Sequence, residues 1–184
     1  MSNAIGIKVT KATGDYDLGA SKFFGAPTLP KEWTNIFSDD EIFFCQIKCE
    51  DIAEFDTENR LPHSGYIYVF LDVESYPYTP RVLYFNGTPD TVLDGFNDEI
   101  DKAGNITEEW LMHFNTANEA ADGIKMLGTP ADWNYSEEPP KVFLQYDPLE
   151  SEMGFRDSVD GYIYLLFGEQ SDRLEDIIYT EERS

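Results

Sequence analysis

Two cysteines and two histidines, Cys45, Cys49, His63 and His113, are the side chains best suited to metal or redox chemistry. A structural zinc site takes four such ligands, and a redox pair of cysteines has the spacing C-x-x-C. Here the cysteines are spaced C-x3-C in the apolar segment FFCQIKC, and neither histidine lies at ligand spacing. The sequence therefore predicts buried free thiols, no metal site and no cofactor.

Nucleophilic catalysis would need a serine or cysteine held on a sharp turn beside an orienting base. His63 and Ser64 are adjacent in LPHSG, but the chain contains no G-x-S-x-G motif and no phosphate-binding G-x-x-x-x-G-K-[ST] loop. His113 lies in the apolar segment WLMHF, where a structural histidine is the better interpretation. The sequence favours a protein that is not an enzyme. A carboxylate-based hydrolase stays open because the separation of its two carboxylates is spatial.

Acidic side chains dominate the composition. Asp and Glu number 36 against 13 Lys and Arg, which gives a formal net charge of −23. Such a surface repels nucleic-acid phosphates and anionic lipid, and it accelerates encounters with basic proteins. The charge therefore predicts a basic protein partner and no nucleic-acid or membrane partner.

Three acidic segments, 50–58, 147–160 and 169–176, are candidates for contact with that partner. The segment DPLESEMGFRDSVDG lacks the ligand spacing of a calcium-binding EF-hand loop, so its carboxylates are interpreted as solvated. The second and third segments would form the binding face if they lie together in space. The predicted partner-binding residues are Asp147, Glu150, Glu152, Asp157, Asp160, Glu169, Asp172, Glu175 and Asp176.

The expected location is the cytoplasm. No segment approaches the roughly 20 apolar residues of a membrane-spanning helix. The first residues, MSNAIGIKVTKATGDYDLG, contain no apolar run typical of a secretory signal. Two cysteines are also too few for a disulfide framework, so the thiols are expected to be reduced.

Five short motifs occur twice, in the same order. KFFGAP (22–27) is repeated as KMLGTP (125–130), FFCQIK (43–48) as VFLQYD (142–147), and GYIY begins at both Gly65 and Gly161. Trp33 corresponds to Trp133, and VLY (82–84) corresponds to IIY (177–179). The offset between copies shrinks from 103 to 95 residues, which indicates a duplicated unit with shorter loops in its second copy.

The duplication predicts an α+β fold in which two related, mainly antiparallel β halves pack into one compact domain with few short helices. A single domain of residues 1–184 would contain halves at about 15–90 and 117–184, joined by a connector at 91–116. GYIY should begin the central strand of each half, because both faces of that strand are apolar. A strand is predicted at 110–114 and a short helix at 116–122. Trp33 and Trp133 are candidates for a ligand groove, with closure of the two half-cores as the alternative.

The turns and strands together resemble a known family. The segments ASKFFGAPTLPKEW, IFFCQIKCEDIAEF, LPHSGYIYVFLDV, KMLGTPADW, FLQYDP and MGFRDSVDGYIYLLF are similar to those of the YwqG-like family, a bacterial domain of unknown function. Phe24 stands where the family usually has glycine, and FRDSVDG is longer than the family's corresponding loop. The resemblance implies an α+β fold with two related halves and, for function, a place in bacterial toxin–immunity gene neighbourhoods.

The leading functional hypothesis joins the charge to this context. It is a non-enzymatic, acidic cytoplasmic binding protein that neutralises a basic toxin as an immunity protein. A small-ligand-binding module and a carboxylate-based hydrolase are alternatives from other classes. A third alternative is a DNA mimic that inhibits a nucleic-acid-binding protein, which would need carboxylates in rows at phosphate-like spacing.

Overall fold

The computed structural model describes residues 3–98, 106–148, 152–156, 161–169 and 171–182. Strands and the turns between them make up nearly all of this part of the chain, and its one α-helix has four residues. Short 3-10 turns lie at Lys31–Trp33 and Leu174–Asp176. The elements are β1 (Asn3–Lys11), β2 (Lys22–Phe23), β3 (Thr28–Leu29), β4 (Glu41–Lys48), α1 (Cys49–Ile52), β5 (Tyr66–Asp72), β6 (Thr79–Phe85), β7 (Thr91–Val92), β8 (Trp110–Asn118), β9 (Lys125–Met126), β10 (Val142–Tyr146), β11 (Ile163–Phe167) and β12 (Ile177–Glu181).

Ten of these strands form one antiparallel sheet, in the order β12-β11-β10-β9-β1-β8-β2-β4-β5-β6, while β3 and β7 pair separately. The centre of the sheet is the pair β1 and β8, whose register runs from Asn3 opposite Asn118 to Lys11 opposite Trp110. The two-residue strands β9 and β2 flank this pair. Strands from both ends of the chain therefore share one continuous sheet.

The predicted α+β fold of two packed halves is wrong. Strands from both predicted halves belong to the single sheet, and β1 and β8 join them at its centre. The predicted helix at 116–122 is also wrong, because β8 continues through Asn118 and pairs with β1. Backbone pairing at the centre of the sheet outweighs the weak helix preference of the Ala and Glu residues in TANEAAD. The strand at 110–114 is confirmed as the first part of β8.

Both GYIY segments lead into strands inside the sheet, as predicted. β5 lies between β4 and β6, and β11 lies between β10 and β12. Along β5, Tyr68 and Phe70 point to one side, Ile67 and Val69 point to the other, and all four are buried. These strands have no solvated face because each side packs against an apolar layer.

The sheet curls so strongly that its edge strands, β6 and β12, contact each other. At this seam the rings of Tyr78 and Tyr179 lie 5.3 Å apart. The inner side of the curl holds the main core, centred on five aromatic rings in tilted and edge-to-face contact: Phe23, Phe24, Phe44, Tyr146 and Phe155. The curl leaves two apolar outer faces. The first outer face belongs to β4, β5 and β6, and the second outer face belongs to β10, β11 and β12.

The two repeated Gly-x-Pro turns have a left-handed backbone. Phe24 and Leu127 have φ of 59° and 65°, and the glycines that follow have φ of 76° and 77°. A side chain at Gly25 would overlap the Glu109 side chain, and one at Gly128 would overlap backbone. Glycine is required at both positions, by backbone conformation and by close approach.

Candidate binding surface

Two buried glutamines hold the loops beside the sheet in matching ways. Gln46 on β4 and Gln145 on β10 are both fully buried. Each accepts a hydrogen bond from one backbone amide at 3.0 Å and donates two to backbone carbonyls. The partners are Thr28, Leu18 and Ala20 for Gln46, and Ala131, Ala121 and Gly123 for Gln145. The loops that they fix lead to Trp33 and to Trp133.

Trp133 lines a groove on the second outer face. Its indole Nε1 donates to the Glu137 carbonyl at 3.0 Å, which folds segment 133–137 into a turn. The ring of Tyr135, which is exposed, lies 4.8 Å from the Trp133 ring. The groove has a volume of about 640 Å³. Its apolar lining consists of Trp133, Pro139, Pro140, Leu166, Phe167 and Ile178, and its exposed acidic lining consists of Glu137, Glu138 and Glu169. We call this the Trp133 groove.

Trp33 lies in a different setting. Its ring contacts those of Tyr68 and Phe85 edge-on at 5.7 Å each, so it helps to cover the first outer face. A smaller groove of about 530 Å³ lies nearby and is lined by Phe37 and Phe96, but Trp33 does not line it. The structure places Trp133 on a groove and Trp33 against the aromatic side chains of the first outer face, and a ligand role for either stays a prediction.

The second and third acidic segments lie at opposite ends of the strands. Asp147 follows β10, whose last residue pairs with Ile163 at the start of β11. Glu169 follows the other end of β11, about 15 Å away at 3.3 Å per residue. The described parts of the two segments therefore lie apart, and the joint binding face stays a prediction. Of the predicted residues, Glu150, Asp157 and Asp160 lie outside the described part of the chain.

The first acidic segment lies beside the third instead. The Arg60 guanidinium lies over the Phe167 ring at 5.6 Å, which brings the loop after α1 next to the end of β11. The hydrogen bond and charge of Lys141, and the more distant charge of Arg60, lower the pKa of Asp172. The two segments brought together by this contact carry five exposed carboxylates: Glu54, Glu58, Glu169, Asp172 and Glu175. We call these five residues the acidic surface.

Two acidic residues of the first segment serve the fold. Asp56 is buried and accepts hydrogen bonds from the Arg60 and Leu61 amides at 3.1 and 2.8 Å, and it bonds His63 Nε2 at 2.9 Å. Asp51 accepts a hydrogen bond from the Ser21 hydroxyl at 2.8 Å. Sequence spacing could not separate these carboxylates from the exposed ones, because the partners are backbone amides and residues of another strand.

Four cationic side chains are either buried or bonded to a buried carboxylate. Lys22 and Lys125 are fully buried. Arg81 bonds the Glu41 carboxylate at 2.6 Å, and Arg156 bonds the Glu181 carboxylate at 2.8 Å. The side chains of these two glutamates are 4% and 0% exposed. Burial of Lys22 and Lys125 takes two of the 13 cationic side chains away from a surface on which acidic side chains are already in excess.

The residues with catalytic potential are placed in structural roles. Burial raises the pKa of both Cys45 and Cys49, the latter to about 12, so both thiols are protonated at neutral pH. Burial also raises the pKa of Glu109, which accepts a hydrogen bond from the Ala26 amide. His113 Nε2 lies 2.9 Å from the Thr10 hydroxyl. Within the described ranges, no group of three or more His, Cys, Asp or Glu side chains is arranged to hold a metal ion.

Comparison with known proteins adds no identity. Neither a scan against protein-family models nor a search of curated proteins finds a match for this chain. The resemblance to the YwqG-like family therefore stays a prediction. Among the described residues, no helix has the length and apolar character needed to cross a membrane.

Proposed function

We propose that this protein is a cytoplasmic binding protein that recognises a basic protein through its acidic surface. The observation that carries the proposal is the excess of carboxylates, which number 36 against 13 lysines and arginines, of which Lys22 and Lys125 are fully buried. The acidic surface supplies a local concentration of carboxylates in two neighbouring segments. Such a field accelerates the encounter with a positively charged partner and weakens as salt screens it.

Clustering of charge matters more than the total. The accessible surface is 9375 Å² and the net charge is −23, which corresponds to about one net negative charge per 400 Å². An interface of ordinary size covers roughly 800 Å² per partner and would hold only about two such charges at mean density. Lys141 and Arg173 form ion pairs with Asp172 and Glu175, so Glu54, Glu58 and Glu169 are the carboxylates of the acidic surface that we assign to the partner.

The resemblance to the YwqG-like family supports a more specific form of this proposal. In a toxin–immunity pair, the immunity protein binds its toxin and blocks it inside the producing cell. A basic toxin would match the charge of this protein. We therefore propose neutralisation of a basic toxin as its physiological role.

Co-expression with the basic product of a neighbouring gene tests that role, and binding measured at low and high salt tests the physical basis. Reversing Glu54 and Glu58 to lysine should slow association at least about tenfold, because both lie on the acidic surface. The same reversal at Glu32 and Glu74, which are exposed elsewhere, matches the change in net charge. Equal effects of the two double variants would show that bulk charge, rather than the acidic surface, governs binding.

A further inference from the structure

We propose that the Trp133 groove binds an extended peptide segment of the partner that carries arginine beside an aliphatic side chain. The inference rests on the proposed function, because it names the part of a basic partner that this site recognises. The groove shares Glu169 with the acidic surface and adds an apolar lining to it. The long-range field would bring the partner in, and the groove would hold one segment of it.

The groove has the size and lining of a recognition site. Its volume of about 640 Å³ lies within the range of roughly 300–1,000 Å³ that is typical of binding pockets. Ile178 is 52% exposed on β12, opposite the buried Leu166 of β11. The hydrogen bond from Trp133 to the Glu137 carbonyl fixes the indole at one side. An aliphatic side chain can therefore be buried between groups that are already held in place.

The first outer face shows what kind of occupant fits such a place. There the chain covers its own strands with segment 91–96, TVLDGF, in which β7 pairs with β3. Leu93 and Phe96 from this segment pack against Phe43, Tyr68 and Phe70. On the second outer face, the buried group Val142, Tyr164 and Leu166 has Tyr162 packed against it. Beside these buried residues Ile178 of β12 is exposed, so an extended segment with an apolar side chain fits there.

Charge decides which extended segment is favoured. Glu137, Glu138 and Glu169 line the groove and are exposed. The one basic residue that lines it, Lys141, has its ammonium 2.9 Å from Asp172. An arginine in the occupant can stack on the Trp133 indole while its guanidinium bonds these glutamates. A second copy of this chain is disfavoured, because each copy carries a net charge of −23.

The experiment uses the full chain and a labelled peptide of about ten residues that alternates arginine and leucine. Fluorescence anisotropy measures its dissociation constant beside those of an arginine–glycine peptide of equal charge and a glutamate–leucine peptide. The arginine–leucine peptide should bind about tenfold more tightly than the arginine–glycine peptide, which lacks the aliphatic side chain. The glutamate–leucine peptide should bind weakest. Equal affinity of the two arginine peptides would overturn the groove contact, and strong binding of the glutamate peptide would overturn the choice of a basic occupant.

Paired variants locate the peptide on the protein. Ile178→Lys should weaken binding of the arginine–leucine peptide about tenfold, whereas Ile36→Lys should change it little. Ile36 is 40% exposed and does not line the groove, so the two variants have the same net charge and a similar change at the surface. The double variant Glu137→Gln/Glu138→Gln should likewise weaken binding more than Glu32→Gln/Glu74→Gln. If each pair of variants behaves alike, the peptide binds elsewhere and the assignment is wrong.

The two proposals can fail separately. If the arginine–glycine peptide binds with strong salt dependence and groove variants have no effect, recognition of basic partners stands and the groove contact falls. If the partner binds equally well after Glu54 and Glu58 are reversed, while Ile178→Lys abolishes binding, the groove stands and the acidic surface falls. Sedimentation of the chain alone gives the third outcome, because a dimer broken by Ile178→Lys would show that a second copy fills the groove.

Discussion

The two outer faces of the curled sheet use similar strands but differ in how they are covered. On the first, Trp33, Phe37, Leu93 and Phe96 lie over the buried aromatic side chains of β4 and β5. On the second, the Trp133 turn stands beside the strands, and the side chain of Ile178 remains 52% exposed. The apolar character of a strand therefore shows that a face needs burial. The loops determine whether the chain itself covers that face.

Covering the first face depends on directed hydrogen bonds as well as on apolar contact. Asn97 accepts a hydrogen bond from the Phe43 amide at 2.8 Å and donates to the Phe43 and Ile106 carbonyls at 3.0 Å each. The register of β4 with β5 shifts between Phe43 and Cys45. Asn97 thus satisfies backbone groups at an irregular point of the sheet while it fastens the covering segment.

The largest predicted effect follows from loss of the three Asn97 hydrogen bonds. Asn97→Ala should lower the free energy of unfolding by about 4 kcal/mol, because it leaves buried backbone donors and acceptors unpaired. Urea unfolding measures the change. Asn134→Ala provides the control beside the Trp133 turn, where the side chain is exposed, and it should cost less than about 0.5 kcal/mol. Similar values for the two variants would mean that the first face is no more firmly covered than the second.

The next effect concerns the pH dependence of stability. Burial lowers the pKa of Lys22 to about 8, although Asp17 and Asp94 act in the opposite direction. The unfolded chain then binds more protons than the folded protein between pH 8 and the ordinary lysine pKa of about 10.4, so stability rises with pH in that window. Wild type relative to Lys22→Met should gain about 2 kcal/mol between pH 7 and 9.5. Subtracting the two free energies of unfolding cancels the contributions of the titrating cysteines and tyrosines, which both proteins share.

Urea unfolding of wild type and Lys22→Met across this range checks the sign. Asn134→Ala removes no titratable group, so its difference from wild type should be flat with pH. If the free energy of unfolding of wild type relative to Lys22→Met falls as pH rises, the lowered pKa of Lys22 is contradicted. Lys125 provides a second test, because burial lowers its pKa to about 8 as well.

A smaller effect should separate the two buried lysines. The Lys125 ammonium donates to the Glu119 and Thr129 carbonyls at 2.7 Å each. The Lys22 ammonium has no hydrogen-bond partner among the described residues and lies 3.8 Å from the Glu109 carboxylate. Lys125→Met should therefore cost about 1 kcal/mol more than Lys22→Met, since it leaves a carbonyl acceptor without its donor. Equal costs at pH 7 would show that the two ammonium groups have equivalent environments in solution.

The sequence predicts the strands better than their assembly. The repeated motifs locate the GYIY strands and the left-handed turns, because glycine and alternating apolar residues report local backbone conformation directly. They do not show that β1 and β8 join both ends of the chain in one sheet. That pairing links residues 99 to 115 positions apart, and β1 is not part of the repeat. The α+β prediction fails at this pairing, because strand pairing overrides the local helix preference of residues 116–122.

The candidate site shows the same limit. Composition identifies an acidic protein, but it does not distinguish Asp56, which is held by two backbone amides, from Glu58, which is exposed. Nor does it show that Arg60 brings the first acidic segment to the third. The equivalence of Trp33 and Trp133 in the repeat suggests equivalent surroundings, yet the covering segment at 91–96 gives them different ones. Positions along the chain indicate which residues are comparable, and packing decides what each one does.

The smallest predicted effect tests whether the second face is open in solution. Ile178 on β12 pairs with Leu166, and Leu83 on β6 pairs with Tyr68, so the two residues have comparable places on their faces. Leu83 packs within the covered first face, whereas Ile178 is exposed. Ile178→Thr should change the free energy of unfolding by less than about 0.5 kcal/mol, and Leu83→Thr should lower it by about 1.5 kcal/mol, because only the latter loses buried apolar contact. Thermal and urea unfolding measure both. If Ile178→Thr costs as much as Leu83→Thr, the protein closes the Trp133 groove with its own chain, and a peptide could enter only by displacing that segment.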